Sequence, residues 1–111
     1  MGKTIEETIF SIIIHGGNAR GKAYEALKFA QSGDFEKAKK ALDESDEEIK
    51  LAHNIQTDII QKEAGGEKVE ISVLFVHAQD HLMTAIAEKE LIENMIDLYK
   101  RIDRLEKDKE A

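Results

Sequence analysis

No proline occurs anywhere in the 111 residues of this chain, and this absence constrains the fold more than any other sequence feature. Proline breaks or kinks helices, and because the chain has none, no proline limits the length of its helices. Aromatic residues, which favour sheets, make up only 5% of the chain. The composition therefore predicts an all-α protein built from long helices.

Two glycine-containing segments interrupt the apolar helical pattern and divide the chain into three parts. In "QSGDF", Gly33 suits a left-handed helix end and Asp34 can cap the helix that follows. In "EAGGEK", Gly65 and Gly66 form the strongest turn signal of the chain. These two segments predict the connections between three helices.

The three helices are predicted from apolar residues at helical spacing. The first begins after Thr4, whose spacing to Glu7 is that of a capping box, and the third begins near Val69. Each helix would have roughly 28 to 40 residues, and short connections make consecutive helices antiparallel. We therefore predict an up-down-up three-helix bundle that forms a single domain over residues 1–111.

The third helix is apolar on two sides. Its predicted core face consists of Ile71, Phe75, Ala78, Leu82, Ile86, Ile92, Ile96 and Tyr99. A second stripe consists of Val73, Val76, Met83 and Ala87. An apolar face beyond the core indicates a partner, and the default for one gene product is a symmetric homo-oligomer.

Asp80 falls in the middle of this second stripe. A carboxylate in an apolar interface must be paired, protonated, exposed or bound to a cation. One interpretation places Asp80 in water at the edge of the interface. The other gathers the symmetry copies of Asp80 around a hard divalent cation, Mg²⁺ or Ca²⁺.

His77 and His81 lie four residues apart and therefore share a face of the third helix. Besides ordinary polar roles, three interpretations fit the pair. "HAQDH" has the form H-x-x-D-H, close to a zinc-peptidase motif, although a third ligand and a cleft would be needed. The pair could also transfer a proton, or one imidazole could act as a nucleophile. The residues alone leave these alternatives open.

Charge and composition exclude several classes of function. A net charge of −7 leaves no basic stripe for a nucleic-acid partner, and the absence of cysteine excludes thiolate chemistry. No apolar run approaches the length of a membrane span, and "MGKTIEETIF" lacks the pattern of a signal peptide. We expect a cytoplasmic protein that neither binds nucleic acid nor inserts into a membrane.

Three segments of the chain resemble one known family. "VHAQDHLMTAIAEKELIENMIDLYKRI" is similar to the enzyme IIA component of the lactose/cellobiose branch of the phosphoenolpyruvate-dependent sugar phosphotransferase system. The similarity extends to "GDFEKAKKALDESDEEIKLAHNIQTDIIQKEAGGEKVEIS" and, less tightly, to "IIIHGGNARGKAYEAL". It thus covers nearly the whole chain, and "HAQDHLM" is its specific block.

The resemblance implies a cytoplasmic homotrimer of three-helix subunits that relays phosphate. The phosphocarrier protein HPr would donate the phosphoryl group, and the cognate enzyme IIB would take it on towards a β-linked disaccharide entering through the membrane component IIC. His77 matches the phosphorylated histidine of the family, and Asp80 matches its metal-binding aspartate, for which Mg²⁺ is the expected cation. His81 and Gln79 match the residues that line the site.

The segment "HGGNARG" departs from the family pattern by carrying three glycines inside a helix. Each interior glycine costs roughly 0.5 to 1 kcal/mol relative to alanine. The glycines are either tolerated drift or places where another backbone or the phosphoryl group approaches closely. Whether His15, Gly16, Gly17 and Asn18 contribute to the site stays open. His15 and His53 are interpreted as ordinary polar residues, since neither has a partner at ligand spacing.

Phosphoryl carriage has two alternatives. A small metal-dependent hydrolase would use His77 and His81 as zinc ligands, and a purely structural helical adaptor would use neither. The transported sugar and the phosphorylated ring nitrogen of His77 do not follow from the sequence.

Overall fold

Three long helices form the structure, which is a computed structural model that describes residues 4–110. Helix α1 spans Ile5–Gln31, α2 spans Phe35–Ala64 and α3 spans Val73–Glu110. They form an elongated bundle of 64 × 24 × 21 Å, and residues 4–110 contain no strand. The predicted all-α three-helix bundle is confirmed. No helix within these residues is long and apolar enough to cross a membrane.

The helix ends follow the predicted capping residues. Thr4 caps α1 by accepting a hydrogen bond from the backbone N–H of Glu7 at 3.2 Å. Asp34 caps α2 in the same way. Gly33 and Gly66 adopt φ values of +83° and +100°, the left-handed region that favours glycine. Both connections are therefore specified by local sequence. The expectation that "MGKTIEETIF" is not a signal peptide concerns in part residues 1–3, which lie outside the described residues.

The prediction that α3 begins near Val69 is wrong by four residues, since the helix begins at Val73. The hydroxyl of Ser72 accepts a hydrogen bond from the backbone N–H of Phe75 at 3.1 Å and caps the helix there. Ile71 consequently lies before the helix and is 77% exposed, so its assignment to the core is wrong.

Helix α1 lies against both other helices, and α2 and α3 contact each other less. Many of the buried apolar side chains are alanines, which allow close approach of the helices. The buried apolar residues are Ile9, Ile12, Ala19, Ala23, Ala26, Ala30, Ala38, Ala41, Ala52, Ile59, Ala78, Leu82, Ala85, Ile92 and Ile96. Ile5 is 48% exposed because it is the first residue of α1.

Two polar residues are buried, although the apolar pattern of the sequence does not place them in the core. Ser45 is fully buried, and its hydroxyl donates a hydrogen bond to the carbonyl oxygen of Ala19 at 2.7 Å. Gln56 is buried between Ala52 and Ile59 on the same face of α2. Each polar group has a hydrogen-bond partner, which offsets the cost of burying it.

Lys89 connects α2 and α3 through two ion pairs. Its ammonium lies 2.5 Å from a carboxylate oxygen of Asp46 and 2.8 Å from one of Glu93, and its side chain is only 13% exposed. Burial acts to lower the pKa of Lys89, but the hydrogen bonds to the two carboxylates outweigh it and raise the pKa above 10.5. The charged form is therefore stabilised by folding.

We expect Lys89→Met to lower the free energy of unfolding by about 1 kcal/mol at neutral pH. Because folding raises this pKa, the stabilisation is fully present below the unfolded value of 10.5 and is lost as the pH rises through the folded value. Urea unfolding at fixed protein concentration should show a constant difference from wild type between about pH 7 and 9 and a smaller one once the pH exceeds the folded pKa of Lys89.

Lys107 supplies a matched control, since it also forms an ion pair, with Asp103 at 3.0 Å, but is 74% exposed. Lys107→Met should change stability by less than about 0.5 kcal/mol. Equal losses in the two variants, or a Lys89→Met loss that persists undiminished above the folded pKa, would contradict this account.

Candidate functional site

His77 and His81 form the centre of the candidate site, one turn apart near the start of α3. Their rings are nearly parallel, with an angle of 15° between the planes and 6.0 Å between the centroids. His77 is exposed, whereas His81 is half-buried between α3 and α1. The pair thus presents one accessible imidazole beside one whose position is restricted by the bundle.

Helix α1 passes directly beside His81 at two glycines. A Cβ on Gly16 would lie 3.2 Å from Cδ2 of His81 and 3.7 Å from Cα of Leu82. A Cβ on Gly17 would lie 3.4 Å from Nε2 of the same ring. The group that approaches these two glycines most closely is the His81 imidazole, which was not among the alternatives that the sequence offered.

Gln79 lies on the other flank of α3. At ~100° per residue it is turned about 200° away from His77 around the helix axis. Its amide oxygen accepts a hydrogen bond from the side-chain amide of Gln56 on α2. Within one chain the structure therefore brings His77 and His81 together but not Gln79.

Asp80 is exposed on the outer face of α3, within the predicted second stripe. Its neighbours there are exposed apolar residues: Val73 is 88%, Val76 57% and Met83 55% accessible. The stripe continues along the helix through Leu91, Met95, Leu98, Ile102 and Leu105, all of them exposed. It therefore extends over roughly 48 Å at ~1.5 Å per residue, and Asp80 is a carboxylate near one end of it.

The zinc interpretation of "HAQDH" finds no geometric support. Residues 4–110 of one chain contain no group of three His, Cys, Asp or Glu side chains that could hold a metal ion. His77 and Asp80 are both exposed, and no third ligand joins the two histidines within this part of the chain. The hydrolase alternative therefore lacks the ligand set that it needs.

The remaining candidate residues have other surroundings. Nδ1 of His15 lies 2.6 Å from a carboxylate oxygen of Glu48, so this histidine joins α1 to α2. Asn18 and His53 are exposed. The position of His15 agrees with its interpretation as an ordinary polar residue.

Sequence reasoning missed two polar residues near the site. Gln56, the partner of Gln79, could have been found as the one amide on an apolar face of α2. Arg20 lies one turn after Gly16 on α1 and forms an ion pair with Glu88 of α3 at 2.6 Å. No local sequence signal indicates this pair, because the two residues are far apart in the chain.

Sequence comparisons match this chain to one family of known proteins. Residues 7–100 match the sequence model of the family described as "PTS system, Lactose/Cellobiose specific IIA subunit". The lichenan-specific phosphotransferase enzyme IIA component of Bacillus subtilis (strain 168) is 51% identical over 102 residues, which cover 92% of this chain and 93% of the relative. The N,N'-diacetylchitobiose-specific EIIA component of Escherichia coli (strain K12) is 44% identical over 98 residues, which cover 88% of this chain and 84% of the relative.

Solved structures give the same result. The crystal structure of the PTS cellobiose-specific enzyme IIA from Bacillus anthracis has a TM-score of 0.89 at 51% identity and covers 94% of this chain and 95% of that one. A chain of the IIA(Chitobiose)–HPr complex from Escherichia coli has a TM-score of 0.82 at 41% identity. The match covers 92% of this chain and 99% of that one. Sequence and structure both match over nearly the full length, and the chain belongs to the lactose/cellobiose-specific enzyme IIA family of the sugar phosphotransferase system.

Proposed function

We propose that His77 carries the phosphoryl group in this enzyme IIA, accepting it from phospho-HPr and passing it to a cognate enzyme IIB. The observation that carries the proposal is the position of His77, which is an exposed imidazole beside a second, half-buried one. A carrier that exchanges its group with two proteins in turn needs an accessible acceptor. His77 meets this need, whereas His81 is restricted by α1.

The chemistry is a displacement at phosphorus. A ring nitrogen of His77 attacks the phosphoryl group as the bond to the donor breaks, and the reverse step delivers it to the next protein. The phosphorylated imidazole gains about −1.5 to −2 charges, by analogy with other phosphorylated side chains. An N–H group of His81 can donate a hydrogen bond to one of the new oxygens.

A trimer accounts for two features that a single chain leaves unexplained. The exposed stripe on α3 is long and apolar, as expected of a helix at the centre of a symmetric assembly. Around a three-fold axis, the two flanks of α3 face neighbouring copies. Gln79 of one copy would then approach His77 of the next, which explains how residues on opposite flanks serve one site.

Asp80 fits a cation shared by such a trimer. Three carboxylates brought together would repel one another, and a divalent cation with water ligands would relieve this repulsion. Oxygen ligands of this type suit Mg²⁺, and Asp80 makes no hydrogen bond or ion pair within residues 4–110 that would compete for its oxygens. When bound, the cation stabilises the assembly.

We expect the assembly to depend on the cation only while Asp80 is present. EDTA should lower the Tm of the wild-type protein by at least about 5 °C, as for a ligand that binds the folded assembly alone. Asp80→Leu removes the repulsion, so its Tm should be insensitive to EDTA. Asp58→Leu, which alters an exposed aspartate on α2, should respond like wild type. An EDTA effect that persists in Asp80→Leu would place the cation elsewhere.

Phosphoryl uptake tests the proposed function directly. Incubation with phospho-HPr should add one phosphoryl group per chain, and the modification should be labile in acid and stable in base, as phosphohistidine is. Addition of a cognate enzyme IIB should remove it. Uptake on a serine or threonine, recognised by its stability in acid, would contradict the proposal.

The sugar at the end of the relay is proposed to be a β-linked disaccharide. Relatives named for N,N'-diacetylchitobiose, lactose and cellobiose support this class. The choice among them belongs to the enzyme IIB and the membrane component IIC, because enzyme IIA handles only the phosphoryl group. The relay operates on the cytoplasmic side of the membrane.

A further inference from the structure

Gly16 and Gly17 occupy the turn of α1 that faces the His81 ring. A Cβ on Gly16 would press on Cδ2 at 3.2 Å, and a Cβ on Gly17 would come within 3.4 Å of Nε2. The Cδ2–Nε2 edge of the imidazole is therefore the edge that lies against α1. Gly16 is buried and Gly17 is exposed, so the two glycines lie towards the inner and the outer end of this edge.

Gly21 shows that this contact is local. It is the third glycine of "HGGNARG". Apart from its chain neighbours and the adjoining backbone of α1, a Cβ built on it meets no atom of residues 4–110 within 4 Å. Helix interiors disfavour glycine relative to alanine, so a glycine there without a contact brings no structural benefit. At Gly16 and Gly17 the missing side chain leaves the space that the imidazole edge occupies.

We propose that Gly16 and Gly17 are positioning residues that hold the His81 imidazole against α1. Because Gly17 is exposed and has no side chain, Nε2 at that end of the edge is left uncovered and can donate a hydrogen bond to the phosphoryl group on His77. This inference rests on the proposed phosphorylation of His77. The two rings lie 6.0 Å apart and nearly parallel, so oxygens of a phosphoryl group on one ring come within hydrogen-bond reach of the other. A methyl group at residue 16 shifts the ring, and one at residue 17 covers Nε2.

Alanine variants at the three glycines test the inference with two readouts. The first is the ring ¹⁵N and ¹H chemical shifts of His81 in the unphosphorylated protein at fixed pH. The second is the rate of phosphoryl transfer from phospho-HPr. Gly16→Ala and Gly17→Ala should move the His81 resonances and slow transfer about tenfold, the effect of one lost charge-assisted hydrogen bond. Gly21→Ala should change neither readout.

A double-mutant cycle separates positioning from general damage to the helix. In a His81→Ala background, Gly16→Ala should cause no additional slowing, because the glycine acts through the ring that has been removed. Additional slowing there would overturn the inference. Gly17→Ala, with the gentler contact, provides the same test should Gly16→Ala fail to fold.

The two proposals fail in different ways. If wild type and Gly21→Ala take up no phosphate, the proposed function is wrong, whatever the resonances show. If both proteins are phosphorylated normally but the His81 resonances of Gly16→Ala and Gly17→Ala match those of wild type, the positioning role is wrong. Moved resonances with wild-type transfer rates also overturn it.

Discussion

His77→Gln is expected to take up no phosphate from phospho-HPr, with a rate reduced on the order of 10³-fold or more, to the limit of detection. Glutamine keeps a polar, hydrogen-bonding side chain at this exposed position but has no nucleophilic ring nitrogen. Exposure of His77 means that the substitution should leave the fold intact. Transfer of radioactive phosphate in a quenched time course, together with an unchanged Tm, measures the effect.

The other histidines serve as graded controls for this variant. His53→Gln alters an exposed histidine on α2 and should transfer phosphate at the wild-type rate. His81→Gln should still be phosphorylated, but about tenfold more slowly, because a positioned donor is disturbed while the acceptor remains. Phosphate uptake by His77→Gln, or complete loss of uptake in His81→Gln, would show that His77 is not the phosphoryl acceptor.

Met83→Glu is expected to convert the proposed trimer into monomers. Met83 is 55% exposed in the single chain and lies on the outer stripe of α3 beside Asp80. The substitution removes the apolar contacts of three methionines near the shared axis. The three glutamates that replace them repel one another, and no cation lies between them to offset the repulsion. Sedimentation should therefore show that the molecular mass of the particle falls from three times 12.5 kDa to 12.5 kDa.

Leu51→Glu is the matched control for this charge substitution. Leu51 is 48% exposed, similar to Met83, but lies on α2. The same glutamate there should leave the trimer unchanged. A wild-type chain that sediments as a monomer at micromolar concentration would contradict the trimer itself, and a trimeric Met83→Glu would place its interface on a different surface.

The ends of the helices could be predicted wherever a short-range capping signal specified them. Thr4, Asp34 and Gly33 act within a few residues, so their roles are visible in the sequence. The start of α3 is the exception, because the short-range cap at Ser72 follows Val69 and Ile71, which continue the apolar pattern and obscure the signal. Apolar spacing identifies a helix more reliably than it identifies its first turn.

The site was predictable only in part, for the same physical reason. Helical spacing placed His77 and His81 on one face, and their rings do lie together. The same spacing separates Gln79 from them, although the family resemblance grouped all three. The contact of Gly16 with His81 joins residues far apart in the chain, and only the packing of α1 against α3 determines it.

The most direct test of the central claim is to identify the phosphorylated side chain by long-range ¹H–¹⁵N NMR of the wild-type protein after reaction with phospho-HPr. The chain has four histidines, and the ring resonances of each can be assigned. The account predicts the ¹⁵N shift and phosphorus coupling of a phosphoimidazole at His77 alone, with smaller changes at His81. A phosphorus coupling at His15, His53 or His81, with His77 unmodified, would contradict it.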